Sequence, residues 1–177
     1  MDVHAKLRET PILETDRLFL RRFRSEDASD VFAYCSDPET ARYVTWDAHA
    51  SVEDSKRFLD WTLSRYRNGE PSDWAIMDKE TGRIIGSMGL VSVETNNLCC
   101  EIGYVIGKAY WGRGYTTEAL ERVLRFLFEI GGMNRVQATC CEENVASARV
   151  LEKNGFRLEG RLQQRIRMKD RFWDVRM

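Results

Sequence analysis

The hydrophobic period of the chain changes several times, and each change predicts an element. "RLFLRRF", Arg17 to Phe23, alternates apolar and basic residues at period two and reads as a half-buried strand. In "SEDASDVFAYCSDP", Ser25 can cap a helix whose apolar positions Ala28, Val31, Phe32 and Cys35 fall at helical spacing, until Asp37-Pro38 stops it. A second helix follows "TWDAHAS". Ser51 and Asp54 form an S-x-x-D pattern close to a capping box, Phe58, Leu59, Thr62 and Tyr66 continue one face, and Asn68-Gly69 ends it.

From residue 73 the period returns to two. "DWAIMD", the turn "KETG" and "RIIGSMGLVSV" predict a hairpin, "ETNN" interrupts the chain, and "LCCEIGYVIG" resumes as a strand. Ala119, Leu120, Val123, Leu124, Leu127 and Phe128 then make a broad apolar helix face, closed by Gly131-Gly132. "RVQATCC" predicts another strand, and "ENVASARVLEKNGF" a short helix from Asn144 to a glycine cap at Asn154-Gly155. "FRLEGRLQQRIRM" and "RFWDVRM" predict two final strands. The order is strand, two helices, three strands, helix, strand, helix, two strands. With no linker, repeat or low-complexity segment to divide it, the chain is expected to form one α/β (α+β) domain over residues 1–177, around a mixed sheet.

Composition narrows the function classes. At 177 residues, with 43% hydrophobic and 31% charged residues, the chain suits a soluble globular domain that buries its own core. No stretch approaches the roughly 20 apolar residues that span a bilayer, and the polar start lacks an apolar signal core, so a cytoplasmic protein without a membrane partner is expected. The formal net charge of -1 argues against a general attraction to nucleic acid. Arg157 to Met177 is locally basic, with seven Lys or Arg against three Asp or Glu, and reads as a solvated strand face, with a role toward an acidic substrate as the alternative. Cys35, Cys99, Cys100, Cys140 and Cys141 are an odd number and are expected to be reduced. Neighbouring residues on a strand point to opposite faces, so neither adjacent cysteine pair converges easily on one ion and no metal site is expected. His4 and His49 lie in polar, loop-like surroundings and read as solvated residues, not as partners of a nucleophile.

"AYWGRGYTTEAL" stands between a strand and a helix, with Gly112 and Gly114 one residue apart. Only glycine lets backbone amides approach a ligand closely in such a loop. The first amides of a helix lack internal partners and sit at the positive end of its dipole, so together they suit a pyrophosphate. The stretch has neither the P-loop pattern nor the third glycine of a dinucleotide fingerprint, and alone it is equally a structural turn.

Four stretches in order carry a resemblance that decides between those readings: "LETDRLFLRRF", "SDPETARYVTW", "EIGYVIGKAYWGRGYTTEAL" and "ENVASARVLEKNGFRLEG". From Leu13 to its end the chain resembles the GNAT acetyltransferases, particularly the branch of ribosomal-protein alanine N-acetyltransferases. The resemblance implies a central mixed, mostly antiparallel sheet of about seven strands, splayed between its fourth and fifth and flanked by about four helices. It implies acetyl-CoA in the cleft as cosubstrate. The pantetheine and thioester then lie against the backbone of Tyr104, Val105 and Ile106, while Gly112, Arg113, Gly114, Tyr115, Thr116 and Thr117 match the family's pyrophosphate loop, Q/R-x-x-G-x-G/A. Trp111 at the Gln/Arg position and Thr116 at the last Gly/Ala position depart from that pattern, so binding must rest on backbone amides and Gly114.

The same resemblance implies direct attack of an amine on the thioester. Glu101 is the candidate general base through water, or else a carboxylate that orders a neighbouring loop. Amides near Val105 and Ile106 are candidates for stabilising the oxyanion. The tyrosine that protonates the CoA thiolate in many relatives is replaced by Leu151, and Ser147 matches the serine used instead in the ribosomal-protein branch. Asn144 stands where the family's asparagine contacts pantetheine, and Ile166 where some relatives carry a further carboxylate. The expected acceptor is a protein N-terminal α-amino group. The alternatives are a small amine, such as a polyamine, an amino acid or an aminoglycoside, or a catalytically weak acyl-CoA-binding module. Acceptor choice is placed around Tyr43, Trp46 and Trp173, which are equally candidates for packing. Members of this branch are often dimers, so a homodimer is an expected assembly, although no exposed apolar stripe marks an interface.

Overall fold

Alternation along Trp74–Asp78 (β3) sends Trp74 and Ile76 to one face of a sheet and Ala75 and Met77 to the other, and helices cover both. The computed structural model describes residues 7 and 9–177, so His4 lies outside the described residues. Ahead of β3 come β1 (Leu13–Glu14), β2 (Leu18–Arg21), α1 (Ala28–Cys35) and α2 (Val52–Arg67). After it come β4 (Ile84–Glu94), β5 (Cys99–Ile106), α3 (Tyr115–Glu129), β6 (Arg135–Gln137) and β7 (Cys140–Cys141). The chain finishes with α4 (Val145–Lys153), β8 (Arg161–Met168) and β9 (Arg171–Arg176).

Strands β1 to β6 form one sheet in chain order, antiparallel except for the parallel pair β5–β6. A second, three-stranded sheet has the order β7-β9-β8. The sequence expectation of about seven strands therefore becomes nine in two sheets: Leu13–Glu14 adds an edge, and "RVQATCC" breaks at Ala138-Thr139, one half pairing with β5 and the other with β9. Helices α3 and α4 pack on one face of the larger sheet through Leu120, Val123, Phe126, Leu127, Ala148 and Leu151. Helices α1 and α2 cover the other with Val31, Tyr34, Leu59 and Tyr66. Trp74 is the largest fully buried side chain; its indole N–H donates to the Pro11 carbonyl at 2.8 Å and its ring meets Phe126 edge-on.

Both ends of α2 form as their capping signals predict, and the start of α1 does not. Asp54 Oδ2 accepts the Ser51 N–H at 2.9 Å, and Gly69, at φ +66, ends α2 as expected. The role expected of Ser25 is filled instead by Asp27, whose Oδ2 accepts the Arg24 N–H at 2.8 Å while the same carboxylate is paired with Arg21. Ser25 falls inside the first, 3-10 turn, one residue past the cap.

Candidate functional site

The larger sheet opens at one point. Strand β5 pairs with β6 only over Cys99↔Arg135, Cys100↔Val136 and Glu101↔Gln137, and β7 then turns away into the second sheet. Thr139 at the fork donates its hydroxyl proton to Glu101 Oε1, so the carboxylate named from sequence stands where the strands part. On the other side of β5 a register shift between Leu90 and Ser92 marks a bulge in β4 opposite Glu101, which increases local twist and helps to splay the strands.

Backbone alternation decides which groups of β5 face the opening. The Gly107 N–H donates to Ile85 C=O at 2.8 Å, and alternate residues of an antiparallel strand turn both their groups to the same partner. Val105, paired with Ser87 two residues earlier, therefore spends its N–H and C=O on β4, and its side chain packs against the α1–α2 cluster. This corrects the expectation that the Val105 amide lines the cleft. The groups turned to the opening belong to Tyr104 and Ile106. The Ile106 carbonyl is already taken by the Trp111 indole N–H at 2.8 Å, which gives the departing tryptophan a role in closing the strand-to-loop turn.

One wall of the opening is a hydroxyl pair. Tyr104 Oη lies 2.9 Å from Ser147 Oγ, where either can donate, and burial pushes the Tyr104 phenol up to about 12, so it keeps its proton throughout the neutral range. Asn144 caps α4: its Oδ1 accepts the Ser147 N–H at 3.1 Å, and among the described residues nothing accepts from its amide NH2. Leu151 is a buried core residue, and Ile166, opposite Trp173, packs in the small second core. A cavity of about 320 Å³ lies between α3, α4 and β6, where Leu124, Phe128, Val136, Cys140 and Leu151 contribute to its lining.

The glycine loop is tied down from a distance. Gly112 and Gly114 have φ of +72 and +80, conformations that L side chains resist, and a Cβ at Gly112 would meet no atom within 4 Å. The first main-chain bond of α3 runs from the Glu118 N–H to Gly114 C=O, so the amides of Tyr115, Thr116 and Thr117 precede the helical ladder. Open space over Gly112, the Arg17 guanidinium 3.5 Å from where a Cβ of Gly114 would stand, and these amides alongside fit a pyrophosphate. Glu118 anchors the loop by accepting from Thr15 Oγ1 at 2.6 Å, the Arg17 N–H at 3.0 Å and Arg17 Nε at 2.7 Å. Burial alone would raise the Glu118 pKa, but the hydrogen bonds from Thr15 and Arg17 and the Arg17 charge hold it below the usual carboxylate range. Arg17 also donates to Arg113 C=O at 2.9 Å and lies 4.5 Å over the Tyr115 ring. Arg113 itself is exposed, with its guanidinium over Tyr110. Sequence reading missed both Arg17 and the Tyr104 hydroxyl, because their partners lie 101 and 43 residues away and no local spacing announces them.

The proposed acceptor residues are brought only partly together. Tyr43 meets Trp173 edge-on at 5.8 Å, and its hydroxyl donates to Glu143 C=O at 3.4 Å, so it joins the 36–50 loop to the second sheet. Trp173 is buried, donates to Met168 C=O and lies under the Arg171 guanidinium, so it acts by holding Tyr43 and not as an open contact surface. Trp46 is half-buried against the α1–α2 cluster beside His49. His49 is not the solvated residue that sequence suggests: its Nδ1 is 2.8 Å from the buried Ser55 hydroxyl, and burial lowers its pKa. The five cysteines are buried free thiols, and among the described residues no group of three His, Cys, Asp or Glu is placed to hold a metal ion. Among those residues no helix is long and apolar enough to cross a membrane.

Comparison with known proteins agrees with this geometry. The family described as acetyltransferase (GNAT) domain matches residues 17–157. An uncharacterized N-acetyltransferase, p20, of Bacillus licheniformis is 32% identical over 165 residues, 93% of each chain. The ribosomal-protein-serine acetyltransferase of Escherichia coli (strain K12) is 27% identical over 127 residues, 72% of this chain and 70% of that one. Among solved structures, a GNAT-family acetyltransferase from Bacillus anthracis superimposes with a TM-score of 0.83 at 26% identity, covering 94% of this chain and 95% of the other.

Proposed function

The chain belongs to the GNAT acetyltransferase family, and from that premise we propose that its acceptor is a protein N-terminal α-amino group. It is an acetyl-CoA-dependent N-acetyltransferase with acetyl-CoA as cosubstrate. The observation that carries the proposed mechanism is the parting of β5 from β6 at Glu101, with the Tyr104–Ser147 hydroxyl pair standing on the adjoining wall. Similarity to the ribosomal-protein-serine acetyltransferase supports the choice of acceptor.

In this reading the amides of residues 112–117 hold the pyrophosphate, and the Asn144 side chain and the outward groups of Tyr104 hold the pantetheine arm. Acetyl-CoA supplies an activated acyl group whose carbonyl is open to an amine. The Ile106 N–H faces that carbonyl; a preorganised donor of this kind contributes roughly 3 to 4 kcal/mol elsewhere. Glu101 takes the amine's proton through water. An α-amino group, with a pKa of about 7.7 to 8.0, needs far less help than a lysine at about 10.4. The Tyr104–Ser147 pair returns a proton to the departing sulfur, replacing the tyrosine that Leu151 displaces.

Thiol release from acetyl-CoA against a panel of N-terminal peptides and small amines tests the proposal, followed by mass spectrometry of the cellular proteins that gain an acetyl group. Turnover on peptides with modification at their first residue is expected. Turnover confined to polyamines, amino acids or aminoglycosides would overturn the acceptor, and tight CoA binding without turnover would indicate a binding module.

A further inference from the structure

A second carboxylate shares the acceptor face of the sheet, and no described side chain accounts for it. Asp73 immediately precedes Trp74, which pairs with Met88; the next position along β4 is Gly89, and Gly89 pairs with Gly103 on β5. Asp73, Gly89 and Gly103 thus form a row across three strands. A Cβ added to Gly89 would lie 1.6 Å from Asp73 Oδ1 and 2.6 Å from its Cγ, so the carboxyl group lies over the glycine and extends along the row. Neighbouring strands are about 4.8 Å apart, which leaves the carboxylate about one strand spacing from Gly103.

Gly103 and Glu101 are two residues apart on β5 and face the same side as Val105, the side covered by α1 and α2. Tyr104 and Ile106 face the helices that carry the glycine loop and the Ser147 wall. In the acetyl-transfer reading the donor enters from the α3–α4 side and the acceptor from the α1–α2 side, and they meet beside Gly103, next to the Val91 side chain. On the acceptor side, Glu101 stands on β5 and Asp73 reaches over from β3.

The surroundings of Asp73 leave its charge uncompensated. Among the described residues no group donates a hydrogen bond to its carboxylate, and no ion pair includes it. The basic group nearest in effect, Arg65 on α2, is engaged by Glu70 and by the Pro71 carbonyl. The other titratable neighbours are Tyr66 on α2, whose hydroxyl donates to the Asp73 carbonyl, and Tyr34 on α1. Burial pushes the Asp73 carboxyl up to about 6, with Arg65 opposing. A half-buried carboxylate that lacks a partner and shares its face of the sheet with Glu101 is a seat for a cation.

We infer that Asp73 is the anionic anchor of the acceptor: it holds the incoming ammonium over Gly103, between itself and Glu101. This rests on the acetyl-transfer reading and adds the feature that selects a positively charged acceptor. The ammonium bound there gives one proton to Glu101 through water. The nitrogen lone pair then forms the C–N bond, the C–S bond breaks with its electron pair on sulfur, and the second proton lost by nitrogen reaches the thiolate through the hydroxyl pair. The net change is ammonium plus thioester to amide, thiol and one proton.

Two measurements on the full chain test it. The first follows the Asp73 carboxyl carbon by NMR through a pH titration, with and without methylamine. A midpoint near the value above in the free protein, moved down by the methylammonium ion, is expected; a midpoint unmoved by methylamine overturns the inference. The second compares Asp73→Asn with wild type on a peptide with a free N-terminal serine. A rise of about tenfold or more in the peptide KM is expected, with the acetyl-CoA KM unchanged and Tm not lowered. In wild type the peptide KM should also rise as pH falls through the Asp73 midpoint, and that limb should vanish in Asp73→Asn. An unchanged peptide KM overturns the inference. If wild type releases no thiol with the peptide, the N-terminal acceptor fails, and the methylamine titration still decides Asp73.

Discussion

Removing Glu118 separates what the distant anchor does for the fold from what it does for the donor site. Glu118→Ala deletes an acceptor that receives three hydrogen bonds, from Thr15 Oγ1, the Arg17 N–H and Arg17 Nε. The Arg17 ion pair is partly open to solvent, with side chains 45% and 20% exposed, so it is worth at most about 1 kcal/mol. The other two bonds contribute about 1 kcal/mol each, which brings the expected loss to about 2 to 3 kcal/mol. Part of that loss appears as global stability and part as disorder of residues 112–117, whose amides no longer have a fixed direction. If about half falls on the loop, the acetyl-CoA Kd rises about tenfold, since about 1.4 kcal/mol is a factor of ten.

Urea denaturation would measure the first part and calorimetric titration with CoA the second. The pH dependence follows from the lowered Glu118 pKa: a depressed carboxylate contributes stability that is present above its unfolded value of about 4.3 and is lost as pH falls through its folded value. The difference between wild type and Glu118→Ala should therefore be constant from pH 5 upward and shrink in acid. A stability loss with unchanged CoA affinity would refute the view that this anchor positions the loop. No loss in either would show that water replaces all three bonds.

Three further outcomes test other parts of the site. Gly86→Ala places a methyl 2.3 Å from the Val105 carbonyl oxygen, so β4 must move away from β5; a loss of about 1 to 3 kcal/mol in thermal unfolding and a fall in kcat are expected. Tyr104→Phe removes the hydroxyl 2.9 Å from Ser147 Oγ; kcat should fall about tenfold with little change in acetyl-CoA KM, and adding Ser147→Ala should cost little more, because the two act as one unit. Glu101→Gln should slow the reaction mainly at low pH, where the amine arrives protonated, and an unaltered pH-rate profile would remove Glu101 as the base.

Local signals were legible wherever one residue's conformation settled the matter. Gly112 and Gly114 take left-handed conformations that only glycine adopts cheaply, and Asn144 caps α4 with its own side chain, so each is legible in a short stretch. The hydroxyl pair was half legible: Ser147 stood out by its distance from Asn144, whereas the role of the Tyr104 side chain depended on which face of β5 α4 covers. Val105 was misassigned because two neighbouring residues look alike in sequence, and only the register Ser87↔Val105 shows which of them spends its backbone on β4.

What the sequence determined by itself is the set of elements and their chemistry: four helices, the hairpin of β3 and β4, and a glycine loop leading into a helix, because periodicity, caps and positive-φ positions are properties of adjacent residues. Tertiary structure alone decided where the sheet parts, that Thr15 and Arg17 hold a loop about a hundred positions downstream through Glu118, and that Asp73 lies over Gly89 on the same face as Glu101. Those features arise from strand order and register, which bring distant residues together through pairing and burial and leave no periodic trace along the chain.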